Sequence, residues 1–286
     1  DWRRLYDRAE DYPIATVPAK VRVLFGGMDV QANRIEGYVW GYGDNLEQWL
    51  VDQFVIDGDP NNPATWQQVA NFLNAVQYPG EEGAAFPVRQ WAIDSGFLAP
   101  KVYEFASKFA PDRLRVVKGE QKGQTFGRRG SDLEIKIGHT SRKIGHALWL
   151  ANKTLLLDQF YSWLSQDAPT RERLDAGEEY PTGYVHTPKM QEEFFRQLTA
   201  DVKISGEYRD RVNYNHNEAL DIKCYCDLLA WLFRFQLRHA KELPLPVVDV
   251  VAMKPAPLPQ VKVAAAPAPA RSGGWMGAKQ KGWMNR

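Results

Sequence analysis

The chain is poor in cysteine. Only Cys224 and Cys226 occur among its 286 residues. On a helical stretch their i,i+2 spacing turns them to different faces. That excludes a disulfide framework and a zinc knuckle. A zinc site drawn from His216, Cys224 and Cys226 matches no known ligand spacing. So few thiols fit a reducing, intracellular setting. There is no apolar run of about 18 residues and no signal peptide, so neither a membrane span nor a membrane partner is expected. No GxxxxGK[ST] loop occurs, so any ATPase activity would belong to another part of a longer protein.

Net charge is also nearly absent: 36 Lys and Arg against 35 Asp and Glu give +1. The balance hides an asymmetry. Residues 241–286 hold seven basic and two acidic residues, or +5, which leaves 29 − 33 = −4 for residues 1–240. A mildly acidic body excludes a general nucleic-acid sponge. If it handles DNA, it does so through a local patch and metal ions. The chain begins with Asp1 in charged, helix-like sequence, which reads as an excised fragment. Three parts are expected. Residues 1–20 form a lead-in linker, residues 21–243 one folded domain, and residues 244–286 a disordered tail rich in Pro and Ala.

What is present begins with VRVLFGGMDVQ, Val21–Gln31. The apolar run reads as a buried strand that ends by presenting Asp29. Arg34–Gly41 and Gln48–Ile56 read as the next two strands, and Thr65–Tyr78 as an amphipathic helix with Thr65 as N-cap. Val88–Ile93 is a further short strand, with Asp94 at its end as Asp29 ends the first. A helix starts at Pro100, and Leu114–Val117 is another strand. Lys118–Gly130 then reads as a loop with four glycines and four basic residues. It is either a solvated surface loop or a phosphate-backbone contact through Lys118, Lys122, Arg128 and Arg129. A short strand over Glu134–Ile137, a helix over Ser141–Leu157 and a turn-rich excursion to Tyr184 follow. Tyr184–Lys189 is extended, Met190–Asp201 helical, and Val202–Tyr214 holds one or two strands.

The last helix spans Asn217–Leu237, with Asn217 as N-cap. Glu218 and Asp221 share a face at i,i+3. Early acidic residues also suit the helix dipole, which is a sufficient reason for either alone. Asp29 alone equally suits a solvated turn. The set carries more weight than its members. Two strand-end carboxylates and one from a late helix suit a divalent ion with hard oxygen ligands, Mg²⁺ or Mn²⁺. Two such ions can activate a water and stabilise the leaving oxygen in phosphodiester cleavage. In this element order the pattern is ribonuclease H-like: an α/β fold with a mixed sheet flanked by helices.

Four stretches sharpen this reading: GGMDVQ (Gly26–Gln31), WAIDSG (Trp91–Gly96), YVHTPK (Tyr184–Lys189) and NEALDIKCY (Asn217–Tyr225). In this order they resemble the nuclease domain of bacteriophage terminase large subunits of the GpA-type branch, over about residues 21–238. The resemblance implies a Mg²⁺- or Mn²⁺-dependent endonuclease that cuts concatemeric phage DNA. It implies Asp29, Asp94 and Asp221 as ligands of two ions, with Glu218 and His186 in supporting roles. The implied partners are double-stranded DNA, the small terminase subunit, the ATPase domain of the same full-length chain and the portal, all in the host cytoplasm. The sequence departs from the branch at His139, where an acidic residue is usual, so no ligand is assigned there. The alternatives are a module that binds DNA or docks on the portal without cutting, and another ribonuclease H-like nuclease such as a resolvase or transposase. The tail ends in Gly273–Arg286, where GWM occurs twice. Trp275 and Trp283 on a basic tip suit either a portal-docking peptide or an inert extension.

Overall fold

A computed structural model describes residues 1–80, 83–211 and 216–233. The reading of 244–286 as a tail lies outside the described residues. In chain order the elements are α1 (Trp2–Asp7), β1 (Val21–Val30), β2 (Arg34–Gly43), β3 (Gln48–Asp57), α2 (Pro63–Ala75), β4 (Gln77–Pro79), β5 (Ala85–Asp94), α3 (Ala99–Ala106) and β6 (Leu114–Glu120). They continue with β7 (Gly127–Ile137), β8 (Thr140–Asn152), α4 (Lys153–Leu164), α5 (Arg171–Asp175), β9 (Val185–His186), α6 (Glu192–Leu198), β10 (Asp201–Ile204), β11 (Glu207–Asp210) and α7 (Glu218–Leu232).

Nine strands form one mixed sheet in the order β7-β8-β6-β5-β1-β2-β3-β9, with β4 added beside β5. The meander β1-β2-β3 is antiparallel, while β5 and β6 run parallel to β1. This is the expected ribonuclease H-like order. A β10–β11 hairpin stands apart from the sheet. Both faces are covered, so β1 reads as a continuous apolar run rather than an alternation. Phe25, Tyr38, Trp40, Ala92 and Val117 bury against α4, α6 and α7, whereas Leu24, Met28, Val39, Trp91 and Ile93 bury against α2 and α3. Side chains alternate along a strand. Asp29 therefore lies on the α7 face with Phe25, and Asp94 with Ala92.

Several expected boundaries shift. Helix α2 begins earlier than Thr65, because the Asn62 side chain accepts from Ala64 N (3.0 Å) and Pro63 fills the first turn. The expected Lys118–Gly130 loop is mostly strand: β6 continues to Glu120 and β7 starts at Gly127, leaving only residues 121–126 as loop. The expected helix over Ser141–Leu157 is instead strand β8 followed by α4. Gly145 has φ +76°, which no α-helix interior accommodates. The apolar run Ala147–Leu150 is paired on both sides, by β6 and β7. The helix starts only where Asn152 caps it, Oδ1 accepting from Leu155 N at 3.3 Å. No helix among the described residues is long and apolar enough to cross a membrane.

Candidate metal and catalytic site

Asp29 and Asp94 end neighbouring parallel strands, since Met28 pairs with Ile93. Helix α7 lies across them. It comes so close at Gly27 that a Cβ there would stand 2.7 Å from Ile222 Cγ2 and 3.2 Å from the Ile222 carbonyl. A bare backbone at Gly27 lets the helix down onto β1, and this brings Asp221, one residue before Ile222, beside the strand ends. Asp29, Asp94 and Asp221 each feel one another's charge. In sequence Asp221 stands more than a hundred positions from either of the other two.

Each carboxylate is held at a cost. Burial, then the Asp94 charge, pushes Asp29 up to about 7, against the hydrogen bond from Gln31. Gln31 Nε2 donates to Asp29 Oδ2 in a short contact, and Val30 N donates to Oδ1 at 3.0 Å. Burial also raises Asp94, opposed by the Gly96 amide (3.2 Å) and the Tyr225 hydroxyl. Burial raises Asp221, opposed by Lys153. Desolvated carboxylates that repel one another favour protonation or a shared cation.

The cation on hand is Lys153. Its Nζ lies 2.5 Å from Asp221 Oδ1 and 3.7 Å from Asp201 Oδ2, with the lysine side chain 16% exposed. The pair is unusual in position. Lys153 opens α4, where the helix dipole disfavours a positive charge, so the acids opposite must hold it there. Its pKa is raised: burial lowers it, but Asp221 and Asp201 outweigh burial. Asp201 faces Asp210 across the β10–β11 hairpin. Asn217 takes the N-cap position of α7 as expected, but its side chain does not cap the helix. Its amide reaches instead toward Asp201 Oδ1 (3.4 Å) and Asp210 Oδ1 (3.2 Å).

Glu218 sits one turn before Asp221 and faces β2. Its Oε2 is buried without a hydrogen-bond partner. Glu36 pairs with Asp29 across the β1–β2 ladder and is bound by Arg34 at 2.8 Å. Burial raises Glu36, and the Glu218 charge adds to that. His186 is not brought to this cluster. It lies on β9 beside Trp49, near the start of β3, whereas Asp29 is level with Val55 near the end of that strand. There its ring is stacked on Trp49 at 4.9 Å and bound between Glu10 (2.6 Å) and Glu47 (2.8 Å). Register sets Arg129 level with Val117 and Asp94, and Lys118 and Arg128 one residue further on, while Lys122 lies in the loop 121–126, so all four lie toward the acidic end of the sheet without forming one cluster. Arg128 is tied to Glu120 and Arg129 to Asp132. Lys118 and Lys122 are exposed.

The donor set fits a hard divalent ion: carboxylate oxygens and no thiolate or imidazole. Among the described residues, no three His, Cys, Asp or Glu side chains stand ready gathered around one ion. The reason is visible. Asp221 is turned onto Lys153, and Asp29 onto Gln31. The surplus of charge and the unpartnered Glu218 oxygen lie in the same region of α7 and the strand ends. The two cysteines are free and buried, Cys226 Sγ facing the Phe25 carbonyl at 3.7 Å, and take no part.

Sequence reading missed Lys153, Asp201 and Glu36. Lys153 lay inside a supposed helix, and Asp201 at the end of another. Asn152, a good cap, was the local signal for the strand-to-helix boundary that places Lys153. Glu36 carries no local signal, since only the register sets it against Asp29.

A family model described as terminase large subunit gpA, endonuclease domain, matches residues 1–242. The chain belongs to this family. It is 29% identical over 237 residues to a terminase large subunit of Escherichia phage lambda, covering 79% of this chain and 34% of that relative. It is 34% identical over 120 residues to a terminase large subunit of Enterobacteria phage P21, covering 42% of this chain and 18% of that relative. The chain thus spans about a third or less of the relatives' lengths. No solved structure matches it at the same stringency. The family match takes in all three strand-end and helix carboxylates and the lead-in α1.

Proposed function

We propose that this chain is a Mg²⁺- or Mn²⁺-dependent endodeoxyribonuclease that cuts concatemeric phage DNA during genome packaging, by two-metal phosphodiester hydrolysis. The observation that carries the reading is the seating of α7 on Gly27, which sets Asp221 against Asp29 and Asp94 at the ends of two parallel strands. Asp29, Asp94 and Asp221 would hold the ions, with Glu218 beside them. When bound, the ions supply charge for a water to lose its proton and for the leaving oxygen to depart.

The remaining parts follow from the chain's own groups. Burial and the Asp94 charge hold the Asp29 carboxyl up to about 7, so an ion bound there would displace its proton to water. Lys153 neutralises Asp221 until a stronger cation competes for the carboxylate. Gln31, Gly96 N and Tyr225 fix the two strand-end carboxylates in orientation. Lys118 and Lys122, both exposed at the acidic end, would meet the phosphate backbone. Double-stranded DNA, the portal, the small terminase subunit and an ATPase domain of the full-length chain are the partners this reading assigns, in the host cytoplasm.

One observation favours the non-cleaving alternative, a module that only binds DNA. Lys153 already lies against Asp221, as an internal cation would in a site that takes no metal. Plasmid cleavage with and without Mn²⁺ separates the two. Cleavage by the wild-type chain that requires the ion, and its loss by at least about a hundredfold in Asp29→Asn, is the expected result. That loss equals about 2.7 kcal/mol of barrier. The amide keeps the shape but is a poor ligand, so the variant should fold with equal or higher thermal stability. Wild-type rates in Asp29→Asn, with metal present, overturn the assignment.

A further inference from the structure

Strands β7 and β8 run on past the sheet. Strand β6 pairs with β8 only over Leu148–Asn152. Residues 140–147 of β8 are paired by β7 alone. The base of this ribbon is anchored. Leu133 is buried, and His146 Nε2 is bonded to the Phe109 carbonyl at 2.9 Å. Beyond that base, residues 134–143 are exposed, except Ile135, which is half-buried.

The direction of the ribbon matters. Trp149 is level with Val117, and Val117 with Asp94. From Trp149 back to Arg142 is seven residues of strand, about 23 Å at roughly 3.3 Å each. The ribbon therefore leaves from the end of the sheet opposite the carboxylates and stands clear of the reaction itself.

Its charge sets it apart from the rest. Residues 127–147 carry five basic and two acidic residues, +3, while the other residues of 1–240 carry 24 − 31 = −7. The charges also alternate between faces. Ile135 pairs with Arg142 and Ile137 with Thr140, so these share one face; Lys136 pairs with Ser141 and Glu134 with Lys143 on the other. Arg142 and Lys136 thus point to opposite sides, and neither makes an ion pair among the described residues. A ribbon with unpaired cations on both faces matches a slot with anionic walls on both sides.

We propose that this β7–β8 ribbon is a duplex-gripping arm that enters the major groove of double-stranded DNA, with Lys136 and Arg142 on the two phosphate walls. A two-stranded ribbon fits the roughly 12 Å width of that groove. The 23 Å offset is shorter than one turn of duplex, about 34 Å, so one DNA molecule can meet both the arm and the acidic end. The arm supplies affinity and holds the DNA in phase, while the chemistry stays at the other end. The proposal rests on the reading of this chain as a DNA endonuclease.

The test compares the whole chain with its Lys136→Ala, Arg142→Ala variant. Both side chains are exposed, so the fold should survive, and an unchanged unfolding midpoint checks that. Binding of a duplex of about 30 base pairs is measured in chelator across a salt series, and plasmid cleavage is measured at saturating DNA with Mn²⁺. Two lost phosphate contacts should lower the slope of log affinity against log salt by about 2 and weaken binding about tenfold at moderate salt. Cleavage at saturating DNA should be unchanged. Wild-type protein should also shield guanine N7, which faces the major groove, from dimethyl sulfate, and the variant should not. Equal affinity and equal slope in the two proteins overturn the arm, as does N7 left open by the wild type. Reduced cleavage at saturation with unchanged affinity overturns it too, because the ribbon would then belong to the reaction. If the wild type binds through the arm but never cuts, the endonuclease reading fails and the arm stands.

Discussion

Helix α7 takes part in two lysine–aspartate pairs, one wholly its own and one shared with α4, and they behave oppositely. Near its middle, Lys223 is fully buried and joined to Asp227 in a short contact. Its Nζ lies 2.5 Å from Gln48 Oε1, and the Tyr42 hydroxyl donates to Asp227 Oδ1 at 2.8 Å. Trp40 and Phe160 present ring faces to the ammonium at 4.8 Å. One cation meets one anion, and each is fully bonded. Six residues before Asp227, Asp221 meets Lys153, but there the acids outnumber the cation. Asp201, Asp94, Asp29 and Glu218 crowd the same region, and Glu218 leaves an oxygen unbonded. A balanced buried pair is a structural device; a surplus of buried like charge is relieved by protonation or by a further cation.

The largest expected effect tests the balanced side. Lys223→Ala should lower unfolding free energy by about 3–5 kcal/mol, because it strands the Asp227 charge in the core. Lys223→Met with Asp227→Leu should be milder than the single change, since no charge is then left behind. Denaturant titration of the three proteins reads this directly. A single variant as stable as the wild type would erase the contrast between the two pairs.

On the surplus side a milder effect of mixed sign is expected. Lys153→Met should lower the stability of the metal-free chain by about 1–2 kcal/mol, because Asp221 and Asp201 lose a partly buried partner. The same change should tighten Mn²⁺ binding several-fold, since a competing positive charge is gone. Titration calorimetry and thermal unfolding in chelator measure the two halves. Weaker Mn²⁺ binding in this variant would mean that Lys153 orients the ligands rather than competing for them.

The smallest effect concerns His186, a third charged group held between acids. Burial lowers its pKa, but hydrogen bonds to Glu10 and Glu47 outweigh burial and raise it above the ordinary 6.5. The sign follows from the raised value. The protonated ring contributes stability that is complete below pH 6.5 and is lost as pH rises through the folded value. Glu10 also bridges to Pro188, so the lead-in is fastened at this point. Proteolysis near residues 8–11 should therefore be slower at pH 6 than at pH 8.5. His186→Gln should make the rate independent of pH over that range. A pH dependence that survives the change would place the fastening elsewhere.

Much of the sheet is legible in the sequence, and so are two carboxylates of the candidate site. The apolar runs ending in Asp29 and Asp94 are legible because a strand buried on both faces has little room for polar residues until its end. The turn-rich boundaries and the early acids of α7 are legible for the same local reasons. Residues 153–157 are helical as expected, but 141–152 are strand, because short apolar runs suit helix and strand alike and only pairing with β6 and β7 decides for strand. His186 looked like a site residue by its motif, yet β9 joins the sheet at β3 and carries it to the wrong end. Glu36 became an acid of the cluster through ladder register, Asp201 through a hairpin, and Lys153 through the point where β8 yields to α4. None of these placements is encoded near the residue that it moves. Charge can be read from a sequence one residue at a time, but which charges share a low-dielectric space is decided by chain segments meeting at long range, and here by how closely α7 can settle on Gly27.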